Sequence, residues 1–283
     1  MKKIILLLFV TSISFAQTNT EVYLYNLSNT NSSFKITTGI NISNNPGYDS
    51  QPYFYSKKSI VFSSTRNKQT DIAKYNIETR DIKFINDTPN GGEYSPQRIP
   101  KSKNISAVRL DTNGLQRFYK YDSKTGTSKE IIADLKVAYP MWYKKNTVIN
   151  VVIAGDALDL IITKMKSNEH TTIQKKVGRS LHKIPNSKLV SYISKAKDTW
   201  EVRSLNPKTG ETKLIINLIH KKEDVCWLPN GTLLLANGSA LMKFTPETDS
   251  GWSIFHKFSE RKHKNISRII VNKKGSKLAL VSE

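Results

Sequence analysis

The sequence predicts an all-β chain folded as a six-bladed β-propeller with four-stranded antiparallel blades. Three observations carry this. A β-rich unit recurs about every 44 residues, the chain has room for six such units, and no long amphipathic helical pattern interrupts them. The repeat is clearest in one strand of each unit: IVFSS from Ile60, ISAVR from Ile105, VINVVI from Val148, LVSYIS from Leu189, LLLAN from Leu233 and LALVS from Leu278. Their first residues lie 45, 43, 41, 44 and 45 positions apart. A period of roughly 40–50 residues holding four short strands is the signature of a propeller blade.

Taking these as second strands, the others fall into register. First strands are expected at 52–55, 96–99, 140–143, 181–184, 225–228 and 268–271. Third strands follow at 71–76, 117–122, 159–164, 200–206 and 240–245, and fourth strands at 81–86, 127–132, 171–176, 211–216 and 252–258. Each is short, alternating or β-branched, and bounded by turn residues. SKTG (123–126) and PKTG (207–210) read as matching turns between third and fourth strands, with Gly at a position of positive φ. The sixth unit is split. RIIVNKKGSKLALVS (268–282) supplies two strands, and the missing pair is expected at the other terminus, in EVYLYNL (21–27) and FKITTGI (34–40). N- and C-terminal strands sharing one blade would close the ring and remove open sheet edges.

At these residues the chain resembles the WD40-like repeat of TolB-like propellers. That pattern runs Pro-x-aromatic-Ser-Pro-Asp-Gly-Lys, then a strand ending in Ser, then an Asp-Ile-Tyr strand. Pro52, Ser63, Ser64, Asp71 and Ile72 match it in the first full blade. Pro229, Asn230 and Gly231 match its turn, as do Gly275, Lys277 and Leu278. The turn departs from the pattern at SKKS (56–59), PKSK (100–103) and KKNT (144–147). The resemblance spans residues 20–283 and implies the fold. It implies little about activity, because propellers host unrelated functions. The domain that precedes the propeller in TolB has no counterpart in this length, so a translocation role is not implied.

Residues 1–16, MKKIILLLFVTSISFA, have the order of a secretory signal peptide: basic Lys2 and Lys3, an apolar run from Ile4 to Val10, and small Ser14 and Ala16 before the cleavage point. Export to the periplasm or the extracellular space is therefore expected, with residues 17–283 forming a single propeller domain and no membrane span. The one cysteine, Cys226 in VCWLP, leaves no internal disulfide and reads as a small buried hydrophobe. Stability must then come from the core.

The formal charge is +21, or +19 without Lys2 and Lys3. Such a balance suits anionic partners such as acidic polysaccharide or head groups. The lysines are dispersed along the chain and not gathered in one arm. The expectation is accordingly a solvated, solubilising surface, with nucleic acid disfavoured as a partner and a monomer favoured.

Binding residues are expected on loops that the first strands and the second-to-third turns present around one end of the channel. These are Tyr48, Asp49, Gln51, Arg66, Glu93, Tyr94, Arg109, Tyr139, Arg179, His182 and Arg268. The arginines stand out in a chain that otherwise prefers Lys, since Arg offers a planar fork to carboxylate or phosphate. They could form an anion clamp, or bridge blades through acids such as Asp49, Glu93 or Asp111. Trp142 and Trp227, on first strands, read as inter-blade packing. His170, His182, His220, His256 and His263 have no metal-binding spacing, and no G-x-S-x-G occurs. Neither catalytic residues nor a metal or other cofactor are expected. The sequence thus points to a non-catalytic exported scaffold that binds a protein segment or anionic ligand at its channel face. The alternative is a propeller hydrolase or lyase with a site assembled from separate loops.

Overall fold

The computed structural model describes residues 19–30 and 33–283. The expected signal segment lies outside the described residues. The strands are β1 (Glu21–Thr30), β2 (Ser33–Asn41), β3 (Asp49–Ser56), β4 (Ser59–Arg66), β5 (Gln69–Asn76), β6 (Ile82–Phe84), β7 (Gly91–Arg98) and β8 (Ile105–Asp111). They continue as β9 (Gln116–Tyr121), β10 (Ser128–Ile132), β11 (Val137–Lys144), β12 (Thr147–Ala154), β13 (Ala157–Lys164), β14 (Glu169–Gln174), β15 (Val177–Lys183) and β16 (Val190–Ser194). The last are β17 (Glu201–Leu205), β18 (Thr212–Asn217), β19 (Val225–Trp227), β20 (Leu233–Asn237), β21 (Ala240–Phe244), β22 (Ser253–Lys257), β23 (Ile266–Val271) and β24 (Lys277–Ser282). They form six four-stranded antiparallel sheets arranged as a propeller. Blade 1 has the order β2-β1-β24-β23, and blades 2 to 6 each take four consecutive strands.

The second strands explain why the blades stack. Side chains alternate across a strand, and here both faces are apolar. Ile60 and Phe62 of β4 pack toward blade 1 with Val22, Leu24 and Val281. Val61, between them, packs toward blade 3 with Ile105, Ala107 and Tyr121. The same division holds at the remaining junctions, giving six hydrophobic clusters, one between each pair of neighbouring blades. A strand covered on both faces reads as a continuous apolar run, which is why IVF, VINVV and LLLA mark the repeat. Cys226 lies in the cluster between blades 6 and 1, where burial pushes its thiol pKa up. Trp142 Nε1 donates to Ser106 Oγ and Trp227 Nε1 to Ser191 Oγ, each acceptor lying 2.8 Å away on the second strand of the preceding blade.

Polar chemistry repeats with the blades. Gly126 (φ 75°) and Gly210 (φ 79°) close the two matching turns, with their amides donating to Asp122 O and Asn206 O. In blade 2 the same position falls to Arg80, at φ 67°. The first strands are inner edges with no strand on the channel side. They therefore accommodate Pro52, Pro96 and Pro140 where a central strand could not. Bulges interrupt the register beside these prolines, between Ser50 and Tyr53, Tyr94 and Gln97, and Val137 and Tyr139.

Ring closure occurs in blade 1, where β1 pairs with β24 from Glu21↔Ser282 to Asn26↔Lys277. A buried polar chain fastens it. His263, fully buried in the loop entering blade 1, meets Tyr25 Oη through Nε2 at 2.5 Å and Ser282 Oγ through Nδ1 at 2.6 Å. Burial, with a smaller contribution from Lys262, pushes the imidazole pKa down to about 4. A neutral ring can donate at one nitrogen and accept at the other, and so joins a strand from each end of the chain.

Two outcomes test this closure. Deleting residues 20–41 should strip half of blade 1, expose the edge of β24 and abolish cooperative unfolding, read by calorimetry and light scattering. Tyr25→Phe should keep the ring packed yet leave His263 Nε2 without its partner, at a cost of about 1–3 kcal/mol in a urea titration.

Candidate functional site

A cavity of about 270 Å³ occupies the centre of the ring. Its wall comes from all six blades, chiefly from first strands: Pro52, Pro96, Met141, Leu181, Asp224 and Ile269 give one residue from each. The volume lies below the ~300–1,000 Å³ of pockets for drug-sized ligands. It suits a single side chain or a chain end.

One end of this cavity has a cationic side. Arg179, in β15, forks onto Asp224: Nε donates to Oδ1 at 3.2 Å and Nη2 to Oδ2 at 2.6 Å. Arg268, in β23, donates from Nη1 to the same Asp224 Oδ1 at 3.1 Å and to Ser267 O at 2.6 Å. Glu223 accepts the Arg179 amide at 3.0 Å and pairs with Lys195 at 3.0 Å. Among the described residues, Arg179 Nη1 and Arg268 Nε and Nη2 have no hydrogen-bond partner, and both side chains line the cavity. Three cations against two carboxylates leave this side net positive.

The other side is aromatic. The rings of Tyr48 and Tyr94 stand 6.2 Å apart. Tyr139 lines the cavity. Burial raises the Tyr48 pKa, and the charge of Arg268 acts on it in the opposite sense, so the two sides share one mouth. His182 also faces the cavity, and burial pushes it down to about 4, keeping it neutral.

Of the remaining candidates, Gln51 lines the cavity and the others go elsewhere. Arg109 lies on β8, one strand away from the channel, where Nε donates to Asp111 Oδ1 at 2.5 Å and the guanidinium stands 5.1 Å over Tyr119. It does not join Arg179 and Arg268. Arg66 ends β4 with its guanidinium 3.9 Å over Phe84 and Nη2 3.4 Å from Asp71. Gln51 bridges blades 2 and 3, its Oε1 accepting from Ser63 Oγ at 3.1 Å and Ser95 N at 2.7 Å.

Asp49 and Glu93 are fully buried at blade junctions. Asn86 Nδ2 donates to Asp71 Oδ1 at 2.8 Å and to Glu93 Oε2 at 2.7 Å, and Tyr121 Oη donates to Glu93 Oε1 at 2.8 Å. Asn45 holds a similar place between blades 1 and 2, its amide on Glu21 and its Nδ2 3.4 Å from Asp49 Oδ2. Burial drives Glu93 up to about 7 and Asp49 up to about 6.

The sequence expected these residues on loops. Asp49, Gln51, Glu93, Tyr94, Tyr139 and Arg179 instead lie within first strands, which begin earlier than their apolar segments suggest, whereas His182 and Arg268 fall on first strands as their segments 181–184 and 268–271 predict. The bulges let these strands continue past the prolines to the mouth. Sequence reasoning missed Asp224, on which both arginines converge. The repeat could have found it, since it stands 45 residues after Arg179 and 44 before Arg268. Among the described residues, no three His, Cys, Asp or Glu side chains gather as a metal site would require.

No family profile and no curated relative matches the chain. Solved structures match its shape. A TolB-type protein from Agrobacterium tumefaciens aligns with a TM-score of 0.71 at 8% identity, over 93% of this chain and 98% of that one. A chain of the nidogen–laminin complex aligns at 0.65 and 9%, over 93% and 98%. TolB from Acinetobacter baumannii aligns at 0.58 and 13%, over 93% of this chain and 64% of that one. The fold is therefore the TolB-like six-bladed propeller.

The buried Glu93 makes a pH-dependent prediction. Its folded pKa, about 7, is above the ordinary 4.5. The stability that it contributes is thus full below about pH 4.5 and lost as pH rises through about 7. Glu93→Gln mimics the neutral acid. Its melting temperature should match or trail the parent near about pH 5 and exceed it near about pH 8, as read by differential scanning calorimetry.

Proposed function

We propose that this protein is an exported, non-catalytic binding propeller, a single domain over residues 17–283, whose channel mouth accepts a segment of another protein. The observation that carries the reading is the two-sided mouth. Arg179 and Arg268, held by Asp224, line the cavity with guanidinium nitrogens that have no hydrogen-bond partner among the described residues, and Tyr139 and the Tyr48–Tyr94 pair lie near them. Forked donors suit a carboxylate, and tyrosines give amphipathic contact area to an extended chain. The small cavity favours a terminal residue or an acidic side chain over a larger ligand. Asp224 supports the role by orienting both arginines before a ligand arrives, which lowers the ordering cost of binding. That a similarly shaped chain takes part in the nidogen–laminin complex is in keeping with a protein partner. The composition of residues 1–16 supports export.

A displayed library of short peptides with free C-termini provides the test. Retained peptides should end in, or carry, a carboxylate beside an apolar residue. Arg268→Lys should weaken them by about tenfold, because an ammonium loses the planar fork. Arg66→Lys, distant from the mouth, should leave them unchanged. Peptides that bind equally to the parent and to Arg268→Lys would place recognition outside the mouth.

A further inference from the structure

The turns between first and second strands all emerge on the ring face opposite the mouth. Their sequences are SKKS (56–59), PKSK (100–103), KKN (144–146), KIPNSK (183–188), PNG (229–231) and NKKGSK (272–277). Five of the six carry lysine, and none carries Asp or Glu. Ten of these lysines are exposed. Only Lys58 has an ion-pair partner among the described residues, the exposed Glu78.

The turns, or the strand ends beside them, touch at four of the six blade junctions. Tyr55 Oη of blade 2 donates to Lys103 O of blade 3 at 2.5 Å, and Tyr143 Oη of blade 4 to Lys188 O of blade 5 at 3.0 Å. Asn186 Nδ2 of blade 5 reaches Pro229 O of blade 6 at 3.5 Å, and Gly275 of blade 1 abuts the Pro229 ring. The lysines are close enough to act on one another across blades. Burial, then Lys273 and Lys144, lowers the pKa of Lys183. Exposed aromatic platforms are missing from this circle: the rings of Tyr55 and Tyr143 are only partly exposed and carry Lys74 at 4.2 Å and Lys144 at 5.2 Å. The charge that is dispersed in sequence is therefore periodic. The fold gathers it into a lysine annulus around the far exit of the channel.

We propose that this annulus is a docking surface for a bilayer rich in anionic phospholipid head groups, with the channel mouth directed away from the membrane. Charge complementarity and shape both favour a plane. The lysines sit on five of the six turns around one axis, so a flat field of phosphates can meet them together. A linear polyanion would engage one arc and find no groove or stacking platform to follow. Ammonium groups act as point charges on flexible stems and need no oriented acceptor, as suits mobile head groups. Attachment through a face of lysines would be electrostatic and reversible. Acids on the annulus face sit at the outer turns between third and fourth strands, at Glu78, Asp81, Asp122, Glu169, Glu211, Glu247 and Asp249. The opposite face mixes acids with its lysines on the loops themselves, including Asp87, Asp111, Asp156, Asp198 and Glu260.

Co-sedimentation of the signal-free chain with vesicles tests the proposal independently of any ligand at the mouth. Vesicles of mixed phosphatidylglycerol and phosphatidylcholine should retain the protein at low salt, and pure phosphatidylcholine should not. Retention should fall steeply as salt rises beyond about 0.15 M, where the Debye length is ~8 Å. Changing Lys101, Lys103, Lys144, Lys145, Lys273 and Lys274 to Gln should lower vesicle affinity by at least about tenfold. These side chains are exposed, so the melting temperature should be unchanged. An equal change on the mouth face, at Lys68, Lys136, Lys175, Lys176, Lys221 and Lys264, should have a much smaller effect. Three results would overturn the proposal: no binding to the anionic vesicles, equal losses from the two variants, or heparin retention that depends on the annulus and survives salt that releases the vesicles. The last would assign the face to a linear polyanion.

Discussion

Everything in this structure depends on the blades having two apolar faces. A sheet with one solvated face can stand alone. A blade whose second strand turns Ile60 and Phe62 one way and Val61 the other cannot, because each face needs a neighbour. The core is consequently distributed as six separate layers arranged radially, with a channel where a globular protein would have its centre. A ring is the arrangement in which every such face is covered, and the shared blade 1 is what completes it. The buried Tyr25–His263–Ser282 chain adds direction to that closure, since packing alone fixes register less sharply than hydrogen bonds between named atoms.

Radial packing also dictates where polar chemistry can go. Apolar clusters fill the junctions between blades, and the buried acids lie at the ends of two of these junctions. Asp71 and Glu93 share Asn86, and Glu21 and Asp49 share Asn45, in two neighbouring junctions. Burial raises the pKa values of Glu93 and Asp49, and the neighbouring carboxylates Asp71 and Glu21 add to it. These acids are joints between blades. The residues left to meet a ligand are those that the inner edge strands carry past their bulges to the mouth: the tyrosines on one side, and Arg179, Arg268 and Asp224 on the other.

The two ends of the channel differ in kind. The mouth mixes acids, arginines and tyrosines in fixed pairs, which suits recognition of a defined group. The far end displays lysines without acids on its inner turns, whose backbones meet between several blades and most of whose lysines have no ion-pair partner among the described residues. One face is built for geometry and the other for charge. A propeller can separate the two because alternate turns of an up-and-down sheet emerge on opposite faces.

The sequence alone determined the blade count, the strand order and the split blade. These follow from a period near 44 residues and from runs such as VINVV that can only be strands covered on both sides. It also determined that Trp142 and Trp227 pack between blades, through residues at equal positions in the repeat. Which polar residues meet was decided by tertiary structure. Arg109 and Arg179 are both placed at one face by the repeat, yet only Arg179 reaches the channel, while Arg109 is held on β8 by Asp111 and Tyr119. Asp224 gave no local signal because its partners come from blades 5 and 1, 45 and 44 residues away. The lysines looked dispersed for the same reason. Local pattern reports which strand a residue occupies, whereas convergence of charge depends on rotation about an axis that no short stretch of sequence contains.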